Sequence, residues 1–168
     1  MNGIKFEKVS YETFRKDVAK TYPGVCLTER MIKDMYSHVE LPRRGDPGSA
    51  GYDFHSTVPI DFSDGQPHKV VTGIKARMPQ DVVLKIYPRS GLGSKHGVKL
   101  RNTVGIIDSS YYNNKDNEGD IIVVLTAEDS PNIGAGDRFA QGIFGPYYTT
   151  EDDDASGTRS GGFGSSGK

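Results

Sequence analysis

Between residues 43 and 148 every apolar run is short, rich in β-branched residues, and closed off by Gly, Pro, Asn or Asp. HKVVTGIK at 68–75, DVVLKIY at 81–87, VGIID at 104–108, DIIVVL at 120–125 and RFAQGIF at 138–144 read as strands. Many short strands at this spacing argue for an all-β sandwich or barrel. The longest uninterrupted apolar stretch, 121–125, is far below the ~20 residues a bilayer span needs. No internal repeat is visible, and 168 residues amount to about one domain.

The flanks differ from this β-rich middle. Ile4 and Phe6 alternate as a short strand does. Ser10 is placed to cap a helix whose apolar residues Tyr11, Phe14 and Val18 fall at helical spacing, and the Tyr-Pro-Gly at 22–24 stops it. Thr28 is placed to cap a second helix, with Leu27, Met31 and Met35 four apart, ending before Pro42. Residues 1–148 therefore read as one β domain carrying a helical extension over 10–40. Residues 149–168 form a separate arm: acidic EDDD at 151–154 leads into glycine- and serine-rich sequence with Phe163 as its one large apolar residue, too little to anchor a core. Fully extended at about 3.3 Å per residue, such an arm reaches on the order of 65 Å.

Charge and cysteine content narrow the function classes. Lys and Arg number 21 against 22 Asp and Glu, and the net charge of −1 provides no strong global attraction to nucleic acid or anionic lipid. One cysteine, Cys26, excludes an intramolecular disulfide and a cysteine-based zinc cluster. The opening MNGIKFE has no apolar core of a secretion signal, so a soluble cytoplasmic protein is expected. Glycine stands out, at 21 residues where about 7% is usual.

Several segments carry chemistry only in combination. In the arm, RSGGFGSSG at 159–167 offers converging backbone N–H groups, the Ser165 and Ser166 hydroxyls and the forked Arg159 cation, all suited to phosphate, with Phe163 able to cover a planar ring. A plain flexible linker has the same composition. YPRSGLGSKHG at 87–97 places Arg89 and Ser90 at a strand end, with Gly91 permitting close backbone approach; it reads as an oligophosphate seat or as an ordinary turn. NTVGIIDSSY at 102–111 looks like one arm of a β-hairpin whose other arm is 121–125, with 113–119 as a long polar tip. A hairpin mouth presents backbone donors and acceptors in fixed order, as a base-pairing partner does. Asp108 at the strand end is either a water-orienting carboxylate or a turn residue. GDRFAQ at 136–141 supplies Arg138 and Gln141, and GSAGYD at 48–53 supplies Asp53 behind a glycine.

Taken in order, GSAGYD at 48–53, PRSGL at 88–92, the Asn102 to Tyr111 stretch, GDRFAQ at 136–141 and RSGGFGSSG at 159–167 resemble the five motifs of the homotrimeric, all-β dUTPase (deoxyuridine triphosphate nucleotidohydrolase) family. The resemblance implies a jelly-roll subunit, a homotrimer with three shared active sites, and Mg²⁺-assisted hydrolysis of dUTP to dUMP and pyrophosphate, which limits uracil in DNA and supplies dUMP for thymidylate synthesis. It implies that uracil is read near Asn102, Gly105, Ile106 and Ile107, and that Tyr111 packs on the deoxyribose and leaves no room for a 2′-hydroxyl. Asp108 orients the attacking water. Arg89, Ser90, Gly91, Arg138, Gln141, Arg159, Gly164, Ser165 and Ser166 serve the phosphates, while Phe163 closes over the base. No direct protein ligand to the metal is implied, although Asp53 is a candidate to hold a metal-bound water or to be structural.

Three departures from the family pattern stand out. Arg159 lies one position closer to Phe163 than the usual motif has it, the connection 112–120 is longer than the shortest family form, and most of 10–40 lies beyond the minimal module. That extension is a candidate docking surface for a protein partner. Two other readings follow from the same residues: a dCTP deaminase of the same fold, and a nucleotide-sensing regulatory protein acting through the extension. A generic jelly-roll sugar binder leaves the phosphate-type arm unexplained.

Overall fold

The computed structural model describes residues 3–157. Ten strands and three short helices follow the order β1 (Lys5–Lys8), α1 (Tyr11–Thr21), α2 (Glu29–Ser37), β2 (Arg43–Arg44), β3 (Tyr52–His55), β4 (His68–Val71), β5 (Ile74–Arg77), β6 (Val82–Pro88), α3 (Ser90–His96), β7 (Lys99–Leu100), β8 (Gly105–Ile107), β9 (Ile122–Thr126) and β10 (Arg138–Pro146). A five-stranded sheet runs β2-β3-β10-β6-β8, a three-stranded sheet runs β4-β9-β7, and β1 pairs with β5. All the strand pairings are antiparallel, the arrangement of a jelly-roll-type sandwich.

Alternation along the strands builds one core. On β9, Val123 and Leu125 point inward while Ile122 and Val124 lie on the other face. Leu84 and Ile86 of β6, Phe139 of β10 and Phe54 of β3 meet them in a single apolar cluster. Phe6 of β1 packs edge-on against Phe54 and Tyr52, which ties the small sheet to the large one.

The stretch 68–75, continuous in the sequence pattern, is divided into β4 and β5 by Gly73, whose φ of 70° turns the chain out of strand geometry. This break lets β4 pair with β9 and β5 with β1.

Both N-terminal helices form where their caps indicate. The Ser10 side chain accepts from the Thr13 N–H, and the Thr28 side chain from the Met31 N–H. Phe14 and Val18 are fully buried, contributing about 2 kcal/mol apiece to docking α1. In α2 the buried residue is Ile32, supported by Met35 and Tyr36, whereas Met31 faces outward; the four-residue spacing of Leu27, Met31 and Met35 drifts off the packed face. The Tyr36 hydroxyl donates to the Val9 carbonyl at 2.6 Å and fastens α2 to the end of β1. Among the described residues no helix is long and apolar enough to cross a membrane.

Helix α1 also meets the connection 112–120. Glu118 accepts from the Ser10 N–H at 3.1 Å, from the Ser10 hydroxyl, from the Thr13 hydroxyl at 2.7 Å and from Lys75 at 2.9 Å. Burial opposes ionisation there, but these donors outweigh it and hold the carboxyl down at about 2. Beneath them, Asp17 and Asp120 are buried against each other; Asp120 Oδ1 accepts from the Gly73 N–H at 2.9 Å, while the two Oδ2 atoms have no other donor among the described residues. Burial raises both acids above the ordinary carboxylate range, Asp120 well above it, with the Asp17 charge adding to the rise.

These shifts act in opposite directions. The Glu118 contacts contribute fully above pH 4.5 and fade as pH falls toward about 2. The acid pair is best tolerated below pH 3.8, and that contribution is lost as pH rises through the raised folded values. Asp17→Asn supplies an amide donor to Asp120 at any pH. Thermal melts are expected to show a higher Tm for the variant at pH 8, with the gain shrinking toward pH 4; an equal loss at both pH values would contradict the shared proton.

Candidate functional site

A polar cleft of about 410 Å³ opens where β3, the end of β6 and the start of β10 meet, lined by residues 45–53, Arg89, Ser90, Arg138, Gln141 and Ile143. Its organising group is Asp53. Oδ1 pairs with Arg89 Nε at 3.2 Å, and Oδ2 accepts from Arg138 Nη1 at 3.1 Å. Asp53 is 15% exposed, so the carboxylate is shielded while its two guanidinium partners, at 35% and 49%, keep donors turned outward. Strand register makes this possible, since β10 pairs with β3 on one side and β6 on the other.

Gly51 admits Gln141 to the same wall: a Cβ there would collide with the Gln141 side-chain oxygen. The Gln141 amide donates to the Pro88 carbonyl at 3.3 Å, which ties β10 to the strand end that carries Arg89 and Ser90. Asp53 is thus a clamp on two cations.

The stretch beginning at Ser90 is a two-turn helix rather than a turn. Gly97, at φ 59°, closes it with its N–H on the Gly93 carbonyl, so a terminal glycine does what the glycine-rich interior cannot. Ser90 and Gly91 open this helix and are exposed. A residue that sequence reasoning passed over is Asp46, just before the first motif: it accepts from the Gly48 N–H at 2.7 Å and the Ser49 hydroxyl at 2.5 Å, and these bonds, the hydroxyl first, hold its carboxyl below the usual range. An Asp followed at short range by Gly and Ser is the signal that marks such a turn.

A second, apolar cleft of about 220 Å³ is lined by Ile86, Leu100, Asn102, Gly105, Ile106, Ile107, Ile122 and Val124, among others. It unites Asn102, Gly105, Ile106 and Ile107, and its far wall comes from 121–124. The expected hairpin between these two walls does not form. β8 pairs with β6, in the register Leu84↔Ile107 and Ile86↔Gly105, whereas β9 pairs with β4 and β7. The connection 108–121 is too long to impose hairpin register, and the chain passes between sheets through a tight turn with Thr103 at φ 67°. The cleft is the opening between the two sheets, and the second edge of β8 has no strand partner among the described residues. Its backbone groups are available to a ligand.

Asp108 follows β8 directly, half-buried, and begins one turn of 3₁₀ helix over Ser109–Tyr111. Tyr111 is not an open platform: it is 5% exposed and its hydroxyl donates to the Asp120 carbonyl at 2.9 Å. Packing against the following loop takes the ring inward. Arg159, Phe163, Gly164, Ser165 and Ser166 lie outside the described residues. Among the described residues no group of three or more His, Cys, Asp or Glu side chains is placed to hold a metal ion.

Comparison with known proteins fits this geometry. The dUTPase family model matches residues 37–167. Deoxyuridine 5'-triphosphate nucleotidohydrolase of Lactococcus lactis is 38% identical over 143 residues, 83% of this chain and 95% of the relative. The crystal structure of dUTPase from Streptococcus mutans shares 36% identity with a TM-score of 0.61, covering 68% of this chain and 91% of that one. The dUTPase of phage phi11 of S. aureus, at 16% identity, matches in fold over 93% of this chain and 97% of its own, with a TM-score of 0.63. The chain therefore belongs to the dUTPase family.

Proposed function

We propose that the protein hydrolyses dUTP to dUMP and pyrophosphate. The observation that carries this reading is the edge of β8 that has no strand partner among the described residues, which lines an apolar cleft and runs straight into Asp108. A uracil lying along that edge exchanges hydrogen bonds with main-chain groups near Asn102, Gly105 and Ile106. Ile122 and Val124 cover its ring. A 5-methyl group meets the wall of the cleft, and contact rather than simple apolarity excludes thymine, since a merely apolar pocket discriminates one methyl by only ~1–3 kcal/mol.

Asp108 then stands at the sugar-phosphate end of the base. Its contribution is to hold and aim a water at the α-phosphorus, with partial proton acceptance as the bond forms. The P–O bond to the β-phosphate breaks, and pyrophosphate leaves. Charge accumulates on the phosphoryl oxygens, where Arg89, Arg138, Ser90 and Gln141 provide donors. Asp53 fixes the two guanidiniums in advance, so little reorganisation is needed during the reaction.

Magnesium bound to the substrate's phosphates would neutralise charge there, beside the donors that Arg89 and Arg138 present.

On one protomer the polar and apolar clefts have no lining residue in common. That separation supports a homotrimer in which the base cleft and Asp108 of one copy face the arginine cleft of a second, with the 149–168 arm of a third closing the site. The deaminase alternative needs a carboxylic acid beside the pyrimidine amino group, and the described lining of the apolar cleft contains none.

Pyrophosphate release from a panel of nucleoside triphosphates, with and without Mg²⁺, tests the reading: dUTP is expected to be the preferred substrate and Mg²⁺ to accelerate its turnover, and ammonia release from dCTP would overturn it. Asp108→Asn is expected to bind dUTP normally in calorimetry and to lose at least two orders of magnitude in kcat; near-normal kcat would remove Asp108 from the chemistry. Truncation after Asp154 is expected to leave folded trimers with badly impaired hydrolysis. Mixing those chains with Asp108→Asn chains is expected to restore activity, because a shared site then combines an intact aspartate with an intact arm, and no restoration would contradict sharing.

A further inference from the structure

The connection 112–120, a long polar tip in the sequence, is built like a bracket. Asn114 and Asn117 are buried at 7% and 5% exposure, unusual for asparagines in a surface loop. The Asn114 amide donates to the Tyr111 carbonyl at 2.8 Å and to Asn117 Oδ1 at 2.9 Å, and Asn114 Oδ1 accepts from the Asp116 and Asn117 N–H groups. The Asn117 amide donates to the Tyr111 hydroxyl at 2.9 Å and the Asp120 carbonyl at 3.1 Å, while its Oδ1 accepts from the Gly119 N–H at 3.2 Å. Gly119, at φ 89°, lies so close that a Cβ would come within 2.6 Å of the Tyr111 carbonyl oxygen. From outside, Glu118 binds the bracket to Ser10 and Thr13 of α1, and the Lys16 ammonium contacts Asp116 at 3.3 Å.

Two of these bonds, from Asn114 to the carbonyl and from Asn117 to the hydroxyl, end on Tyr111, the last residue of the 3₁₀ turn that Asp108 begins. The Tyr111 N–H donates to the Asp108 carbonyl at 3.0 Å, so the turn is held at one end by its own backbone and at the other by the two asparagines. We propose that Asn117, acting through the Tyr111 hydroxyl, is a positioning residue for catalysis: it fixes the 3₁₀ turn and so sets where the Asp108 carboxylate holds the attacking water. The inference rests on the reading of Asp108 as the water-orienting group. A misplacement of about 1 Å in such a group costs up to about a hundredfold in rate, whereas base and phosphate contacts, made by other segments, are left alone. The loss therefore falls on kcat and spares KM.

The test is steady-state hydrolysis of Mg²⁺–dUTP by the full chain, comparing Asn117→Ala and Tyr111→Phe, each alone and combined with Asp108→Asn. Tyr111→Phe keeps the buried ring and removes only the hydroxyl that Asn117 holds, so it remains informative if Asn117→Ala does not fold. Each single variant is expected to lower kcat by about tenfold or more, with KM within about threefold of wild type. In the Asp108→Asn background neither is expected to lower kcat further, because the group they position is already gone. Unchanged kcat in Tyr111→Phe, a loss carried mainly by KM, or an equal further loss in the Asp108→Asn background would each overturn the proposal. A wild-type protein that does not hydrolyse dUTP would instead overturn the functional reading beneath it.

Discussion

The passage of the chain from one sheet to the other between β7 and β8 is the constraint on which the functional architecture depends. A sandwich of two open sheets has edges, and an exposed edge is normally a liability because its backbone groups seek partners. Here the crossing at 101–104 leaves β8, among the described residues, paired on one side only and holds 121–124 opposite it in the other sheet. The gap between sheets becomes a slot with an apolar floor and a backbone edge. A planar heterocycle with alternating donors and acceptors satisfies that edge as a neighbouring strand would, without exposing it to indiscriminate pairing.

Carboxylates do the complementary work of holding cationic and polar groups in place. Asp53 grips Arg89 and Arg138, Asp46 pins its own loop, and Glu118 gathers Ser10, Thr13 and Lys75. Each carboxylate is held by at least two donors, which compensates for the solvent it gives up. The Asp17–Asp120 contact is the exception. Two acids facing each other in the interior are tolerable only with a proton between them, which ties the seating of α1 to pH in the opposite sense from Glu118.

Local chemistry was legible in the sequence where one residue determines the outcome. Ser10 and Thr28 announced their helices, and the apolar runs at 81–87 and 138–144 announced β6 and β10. Pairing was less legible. The runs at 104–108 and 120–125 look like hairpin arms, yet register comes from contacts with β6, β4 and β7, which neither run encodes by itself. Helix α3 was hidden for a related reason: its glycines argue against helix, and the packing of Leu92 on the core with Gly97 as terminator favours it. The members of the polar cleft were found as separate motifs, but Asp53 as the common partner of two arginines requires the register of β10 between β3 and β6. The burial of Tyr111 was equally out of reach, because its partners Asn117 and Asp120 lie in a connection that looks merely polar.

The N-terminal extension then takes on a meaning its position beyond the minimal module did not suggest. Helix α1 is anchored to the core by Phe14 and Val18, so it is a rigid body relative to the sheets. Through Glu118 and Lys16 it seizes the outside of the 112–120 bracket, whose inside holds Tyr111 and the turn beginning at Asp108. A long loop by itself pays a conformational penalty and wanders; one clamped between a buried helix and a buried tyrosine does neither. The extra length of this connection and the extra helix are in this view two halves of one device, since the loop without the helix leaves Glu118 with the Lys75 side chain as its one remaining side-chain partner among those named, and the helix without the loop loses the carboxylate that completes its N-terminal cap.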